Sequence, residues 1–204
     1  ERSRGLGDVY KRQVYMYKIL MSLIRKRPRD LVKLCSLAAQ QAQQTNSPLI
    51  KTEHFQAIFE EYSQGRIQDT INEYKSELPN IENLLFGMRP TKKQRNASDG
   101  YIYTTAELIQ KLNNIRQHTN FIFKNGRKAS ANELAQFLYK INFLTARKIV
   151  ESGEIQRKYF EENRYISSSF VDFGYDWEVH PAFRWVLQPE NINEIFNKLA
   201  LSHD

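Results

Sequence analysis

The sequence predicts a mainly α protein with a small β part, a helical bundle followed by a winged helix-turn-helix domain. Three observations carry that expectation. Apolar residues recur at helical spacing from Leu31 to Met88. A polar, cation-rich stretch, 89–100, then interrupts the pattern. Beyond Gly100 the order is helix, strand, helix and β-hairpin. The 204 residues, 41% hydrophobic and 26% charged, have an ordinary globular composition and suffice for two small cores.

Residues 1–13 show no apolar period and look like a translated sequencing adapter, non-native to the fold; a flexible linker is the alternative. If they are foreign, the chain is a C-terminal fragment of a longer one. Residues 14–26 are apolar on nearly every face, from Val14 and Tyr15 to Leu23 and Ile24. Such a helix is buried from all sides, and its covering is not evident in the remaining sequence, so it is read as the terminal helix of a domain lying upstream.

The bundle occupies 27–88. Pro28 suits a first helical position, because the N–H it lacks has no intrahelical partner there. Leu31, Leu34, Cys35, Ala38 and Ala42 form the inward face until Thr45-Asn46-Ser47-Pro48 stops the helix. A second pattern starts at Thr52 with Phe55, Ile58, Phe59 and Tyr62, and continues with Ile67, Ile71, Tyr74 and Leu78. Its phase slips near Gly65, which predicts a kink or short break there. Pro79 opens a short helix with Ile81, Leu84, Leu85 and Met88 inward.

After the 89–100 linker, residues 101–189 form the winged domain. Thr104 with Glu107 and Ser130 with Glu133 are capping boxes that start two helices. Phe121-Ile122-Phe123 followed by Asn125-Gly126 reads as a strand and turn. Strands are expected over Lys148–Val150, Ile155–Tyr159 and Tyr165–Val179, with a turn at Ser152-Gly153. A C-terminal helix, 190–204, carries Ile192, Ile195, Phe196 and Leu199.

Charge and cysteine content narrow the function. The net charge of +7 is segregated, with +5 in 14–33, −4 in 34–88, +3 in 89–100, +4 in 101–128 and −5 in 159–204. Segregated charge selects partners. The single Cys35 forms no internal disulfide, and no signal peptide precedes the helices, which together suit a reducing cytoplasm. The longest apolar run, Ile19 to Ile24, is far shorter than the ~20 residues of a membrane span, so no membrane partner is expected.

No complete catalytic set is present. None of the eight glycines starts a phosphate-wrapping GxxxxGK loop. His54, His118, His180 and His203 lie far apart and without metal-ligand spacing, so no metal is expected, and His180 before Pro181 reads as a structural hydrogen-bonder. Glu60-Glu61 and Glu161-Glu162 are adjacent pairs that diverge on a helix. Arg25, Lys26, Arg27 and Arg29 differ: they crowd the positive end of a helix dipole, where anions are favoured. Free backbone amides and guanidinium forks there would hold a phosphate. A solvated basic cap is the alternative.

Several stretches are similar to the C-terminal part of bacterial P-loop ATPases of the AAA and STAND type. They are Arg27-Pro28-Arg29-Asp30-Leu31; Glu61-Tyr62-Ser63 with Arg66 and Glu73; and Phe137-Leu138-Tyr139, Phe143-Leu144 and Val179-His180-Pro181-Ala182-Phe183. The resemblance covers most of 14–189. It implies that 27–88 is a helical lid, that 101–189 is a winged helix, and that the nucleotide-binding core lies upstream. It also implies that Arg29, or failing it Arg27, contacts the phosphates of ATP bound by that core, coupling nucleotide state to lid and winged-helix movement. The phosphate loop, the Mg²⁺-binding acid and the catalytic glutamate of the family are absent from these residues, so this segment alone is expected to be non-catalytic and to bind no cofactor itself.

Two other readings stay open. A DNA-binding winged helix would read bases with Asn132, Gln136 and Lys140 and touch phosphates with Arg147, Lys148, Arg157 and Lys158. An oligomerisation or scaffold segment would use the terminal helix to contact a second copy. The expected partners are therefore the upstream ATPase domain, DNA, or another copy of the chain.

Overall fold

The computed structural model describes residues 16–24, 27–91, 100–151, 155–166, 174–189 and 192–201. The expectations for 1–15, Arg25, Lys26, most of the linker and the Ser152-Gly153 turn lie outside them. The protein is mainly α with one small antiparallel sheet. Residues 16–23 form α1. Then come α2 (Pro28–Gln44), α3 (Thr52–Ala57), α4 (Phe59–Tyr74) and α5 (Ile81–Gly87). Next are β1 (Ile102–Tyr103), α6 (Thr105–His118), α7 (Ala131–Lys140), β2 (Leu144–Ile149), β3 (Ile155–Lys158) and β4 (Asp176–Val179). The last helices are α8 (Pro181–Leu187) and α9 (Ile192–Leu201).

Local signals account for the helix ends. Arg27, extended, precedes Pro28 at the first position of α2, and Asn46 at φ 51° turns the chain away after Thr45. Both capping boxes form: the Thr104 and Ser130 hydroxyls accept from the Glu107 and Glu133 N–H groups, and each glutamate returns the bond. The inward face of α2 is Leu34, Leu37, Ala38 and Ala42, with Asp30. Leu31, expected inside, is exposed, and Cys35 is only half-buried, because the helix turns its Leu34 and Ala38 edge to α3 and α4.

The expected break at Gly65 falls instead at Ile58, whose φ of −98° and ψ of 0° separate α3 from α4. Gly65 lies within a continuous helix, and a Cβ added there would meet nothing within 4 Å. The phase slip is absorbed about two turns earlier. Gly65→Ala should therefore stabilise the protein by about 0.5–1 kcal/mol, read as a raised urea midpoint at unchanged slope. Gly87 is different in kind, since its missing side chain lets Ile115 of α6 approach to 3.0 Å of where a Cβ would stand.

The sheet has the order β1-β4-β2-β3, antiparallel throughout. Strands β2 and β3 form the expected hairpin, and β4 pairs the other edge of β2, with Thr145 opposite Glu178 and Arg147 opposite Asp176. Two expected strands shrink. Phe121 to Phe123 makes only a single bridge, Ile122 to Lys128, around Gly126 at φ 78°. Among the described residues of Tyr165–Val179, Asp176–Val179 pair as β4, while Tyr165 and Ile166 are helical.

Two apolar clusters hold these elements, and α4 runs through both. The first joins Ile19, Leu23, Leu34, Phe55 and Phe59 to Phe196 of α9. The second joins Ile67, Ile71 and α5 to α6, α7, the sheet and Leu187. Covering for α1 is thus present in this chain: Ile19 and Leu23 are fully buried in the first cluster, while Tyr17 remains exposed. The apolar cores do not divide between 88 and 101, where the linker was expected to separate two units. They divide within α4, between Tyr62 and Ile67. There Ser63 is fully buried: its Oγ donates to the Ala182 carbonyl at 2.7 Å and accepts from the Val186 N–H at 3.2 Å. That pairing locks α8 along α4.

Candidate functional site

The basic start of α2 lies against the C-terminal half of α4. Arg27 Nη1 donates to both oxygens of Glu73, at 3.2 and 3.3 Å, and its Nη2 donates to the Tyr74 hydroxyl. Arg29 Nη2 donates to the same carboxylate at 2.5 Å. Two guanidinium groups therefore converge on one anion. Behind them Arg66, almost fully buried, donates to the buried Asp30 and to Asp69. An open cavity of about 320 Å³ lies beside the cluster, lined by Arg29, Arg66, Asp69, Asn72 and Glu73.

Electrostatics follow from the geometry. Burial acts to raise the Glu73 carboxyl, but the bond from Arg29 and the charge of Arg27 outweigh it and hold the group below the usual carboxylate range. Glu73 therefore stays ionised through mildly acidic conditions. Arg29 is the more open of the two cations, with its side chain 57% exposed against 19% for Arg27. Asp30 is drawn into the fold by Arg66 instead of offering its charge to solvent. The sequence marked Arg27 and Arg29 but missed the anion they face. Glu73 is separated from them by more than forty residues, and no local pattern tells which of the acids on α4 turns toward α2.

Of the five residues quoted from α4, Tyr62, Ser63, Arg66 and Glu73 each make a long-range contact, while Glu61 is exposed. Tyr62 donates its hydroxyl to the Leu23 carbonyl, Ser63 bonds α8, Arg66 bonds Asp30, and Glu73 holds the arginine pair. Together they fix the end of α1, the start of α2 and α8 onto one helix. His180 caps α8, its Nδ1 accepting from the Ala182 N–H, and is fully buried.

The second candidate set is scattered. Gln136 and Lys140 lie on α7 along an open groove, with Lys140 paired to Glu77 at 2.7 Å. Lys148 is exposed near the Tyr175 ring, and Asn132 is exposed at the start of α7. Arg157, expected on a phosphate-touching wing, donates its Nε and Nη2 to Glu178 within the fold, at 2.7 and 3.2 Å. Arg184 donates to the same carboxylate, and Arg147 is buried beside it. Burial would raise Glu178, but Arg184, Arg157 and Arg147 overcome it and hold the carboxyl at about 2. A charged strand residue between the buried Trp177 and Val179 was the signal for this cluster, since β alternation aims it away from them.

Among the described residues no group of three or more His, Cys, Asp or Glu is placed to hold a metal ion, and no helix is long and apolar enough to cross a membrane. The arrangement defines a helical domain in which two arginines converge on Glu73, continuous in packing with a small mixed α and β unit. Residues 8–71 match the model of the FunZ-associated C-terminal helical domain. The match begins inside the segment 1–13 and runs through the first apolar cluster to Ile71, two residues short of Glu73. No curated protein and no solved structure matches the chain.

Proposed function

We propose that the chain is the C-terminal regulatory part of a P-loop ATPase, non-catalytic by itself, in which Arg29 and Arg27 answer to the phosphates of ATP held by an upstream core. The observation that carries this reading is the convergence of both guanidinium groups on Glu73. Converging forks are the geometry by which arginine holds a phosphate, and the carboxylate occupies the place such an anion would take. In the resting arrangement Glu73 satisfies the pair. A nucleotide phosphate brought within reach of the half-exposed Arg29 competes for it, so nucleotide state is exchanged for a contact between α2 and α4. The order of helices, hairpin and flanking strand after residue 101 agrees with the winged helix that the same family resemblance implies.

The test uses a chain that includes the upstream region. Arg29→Ala is expected to lower ATP turnover about tenfold, the effect of one charge-assisted contact of ~1.4 kcal/mol. Glu73→Gln should act in the opposite sense, tightening nucleotide binding by removing the internal competitor. Unchanged turnover in the first variant together with unchanged affinity in the second overturns the reading. A duplex-binding winged helix has less support, because Arg157 and Lys140 are engaged by Glu178 and Glu77.

A further inference from the structure

A second recess lies away from both the arginine cluster and the hairpin. It is an open groove of about 710 Å³ between α7 and the 123–127 turn, closed at one end by Glu77 after α4. Its floor is aromatic. Phe123 and Phe137 meet edge to face at 5.8 Å, Tyr74 meets Phe137 in the same way at 6.0 Å, and Phe160 completes the lining. The volume is within the ~300–1,000 Å³ of small-molecule sites, which are likewise mostly apolar with a few polar groups.

The rim is polar and selective. Lys140 is paired with Glu77 and Arg127 with Glu133, so two of the three lining cations are neutralised. Lys124 is exposed, and its ammonium has no carboxylate partner among the described residues; its backbone N–H donates to the Glu77 carbonyl, fixing the turn over the groove. Gln136, half-buried on α7, lines the same recess, and its amide has no hydrogen-bond partner among the described residues. The recess thus brings together aromatic rings, an amide donor and acceptor, and one lysine without a carboxylate partner among the described residues.

We infer that this groove binds an unstacked nucleotide unit, its base against Phe123, its polar edge on the Gln136 amide and its phosphate at Lys124. A base has a π-face that stacks on an aromatic ring whatever its sequence, and an edge that an amide can pair. A duplex offers neither to a concave site, since its bases are stacked and its affinity comes from many phosphates, which one free lysine does not match. An acidic peptide would satisfy Lys124 but would leave the Phe123 face and the Gln136 amide without a planar partner. The inference is independent of the arginine site, although the two adjoin: Tyr74 accepts from Arg27 and packs on Phe137.

The same chemistry is present in a free mononucleotide and in a single strand, and the experiment separates them. The chain is titrated at low salt with AMP, with UMP, with a fluorescein-labelled single-stranded eight-mer and with a duplex of the same sequence. Binding of the single strand or of a mononucleotide is expected, weakened at least about fivefold by Phe123→Ala, the low end of a stacked-base contribution. Lys124→Gln should lower the salt slope of eight-mer binding by about one contact, and Gln136→Ala should alter base preference while leaving that slope unchanged. Tighter binding of the mononucleotides assigns a free ligand, and tighter binding of the eight-mer assigns a nucleic acid. Phe123→Ala alters packing against Phe137, whereas Lys124→Gln is a surface change that leaves the fold intact. Absence of binding to all single-stranded and mononucleotide probes, or duplex binding indifferent to both variants, overturns the inference.

Discussion

Replacing Glu178 by Ala is expected to destabilise the protein by about 3–5 kcal/mol, measured as a lowered urea midpoint at pH 7. The carboxylate is 3% exposed and is shared by Arg157 and Arg184, themselves almost buried at the junction of β3, β4 and α8. Its removal leaves two guanidinium groups without their anion in a place where water does not replace it. Glu178→Gln keeps the shape and part of the hydrogen bonding, so its loss should be smaller. The pH dependence gives a second check. Glu178 is held at about 2 against an ordinary 4.5, so its contribution is complete above pH 4.5 and disappears as the pH falls toward 2. Wild-type stability should decline through that window, and the Gln variant should decline less. Parallel pH profiles for the two proteins would show that the buried cluster is not the acid-sensitive element.

Phe59→Ala should cost a similar 3–5 kcal/mol, through lost transfer energy and the cavity left behind. The ring is fully buried at the start of α4 and meets Phe196 of α9 edge to face, with centroids 5.4 Å apart. Phe196→Ala should be comparable, since its ring is equally buried. Because the rings touch, the double variant should lose less than the two singles together, by about the 0.5–1.5 kcal/mol of an aromatic pair. Trp185, half-buried against the same cluster, reports the transition by fluorescence. A strictly additive double variant would mean that α9 is not seated on Phe59 in solution.

How far the sequence led can be told from particular residues. Capping boxes, Pro28, the Asn46 stop and the Gly126 turn act within a few residues, and each appears where local chemistry put it. The helical bundle and the hairpin of β2 and β3 follow from apolar periodicity in the same way. What failed depended on distant partners. The helix breaks at Ile58 rather than Gly65, beside Phe59, whose ring partner Phe196 lies at the far end of the chain. Arg157 turned inward because Glu178 neutralises it across the sheet, which no spacing of the hairpin reveals. The candidate anion site was half legible: the two arginines stood out as misplaced charge, whereas Glu73 was one of many acids on α4.

The sharing of α4 by both apolar clusters has a mechanical corollary. Its 16 residues make a rod of about 24 Å. Phe59 sits at one end beneath α9, Ser63 pins it to α8 about a quarter of the way along, and Glu73 stands near the other end in the grip of Arg27 and Arg29. With Ser63 as a pivot, the helix would act as a lever whose longer arm carries the salt bridges. A tilt of roughly 5° would shift the Glu73 end by a little more than 1 Å and the Phe59 end by less, in opposite directions. Loss of the Arg27 and Arg29 contacts at the long arm would then be felt as a change of seating under the C-terminal helix, without any residue between them having to unfold.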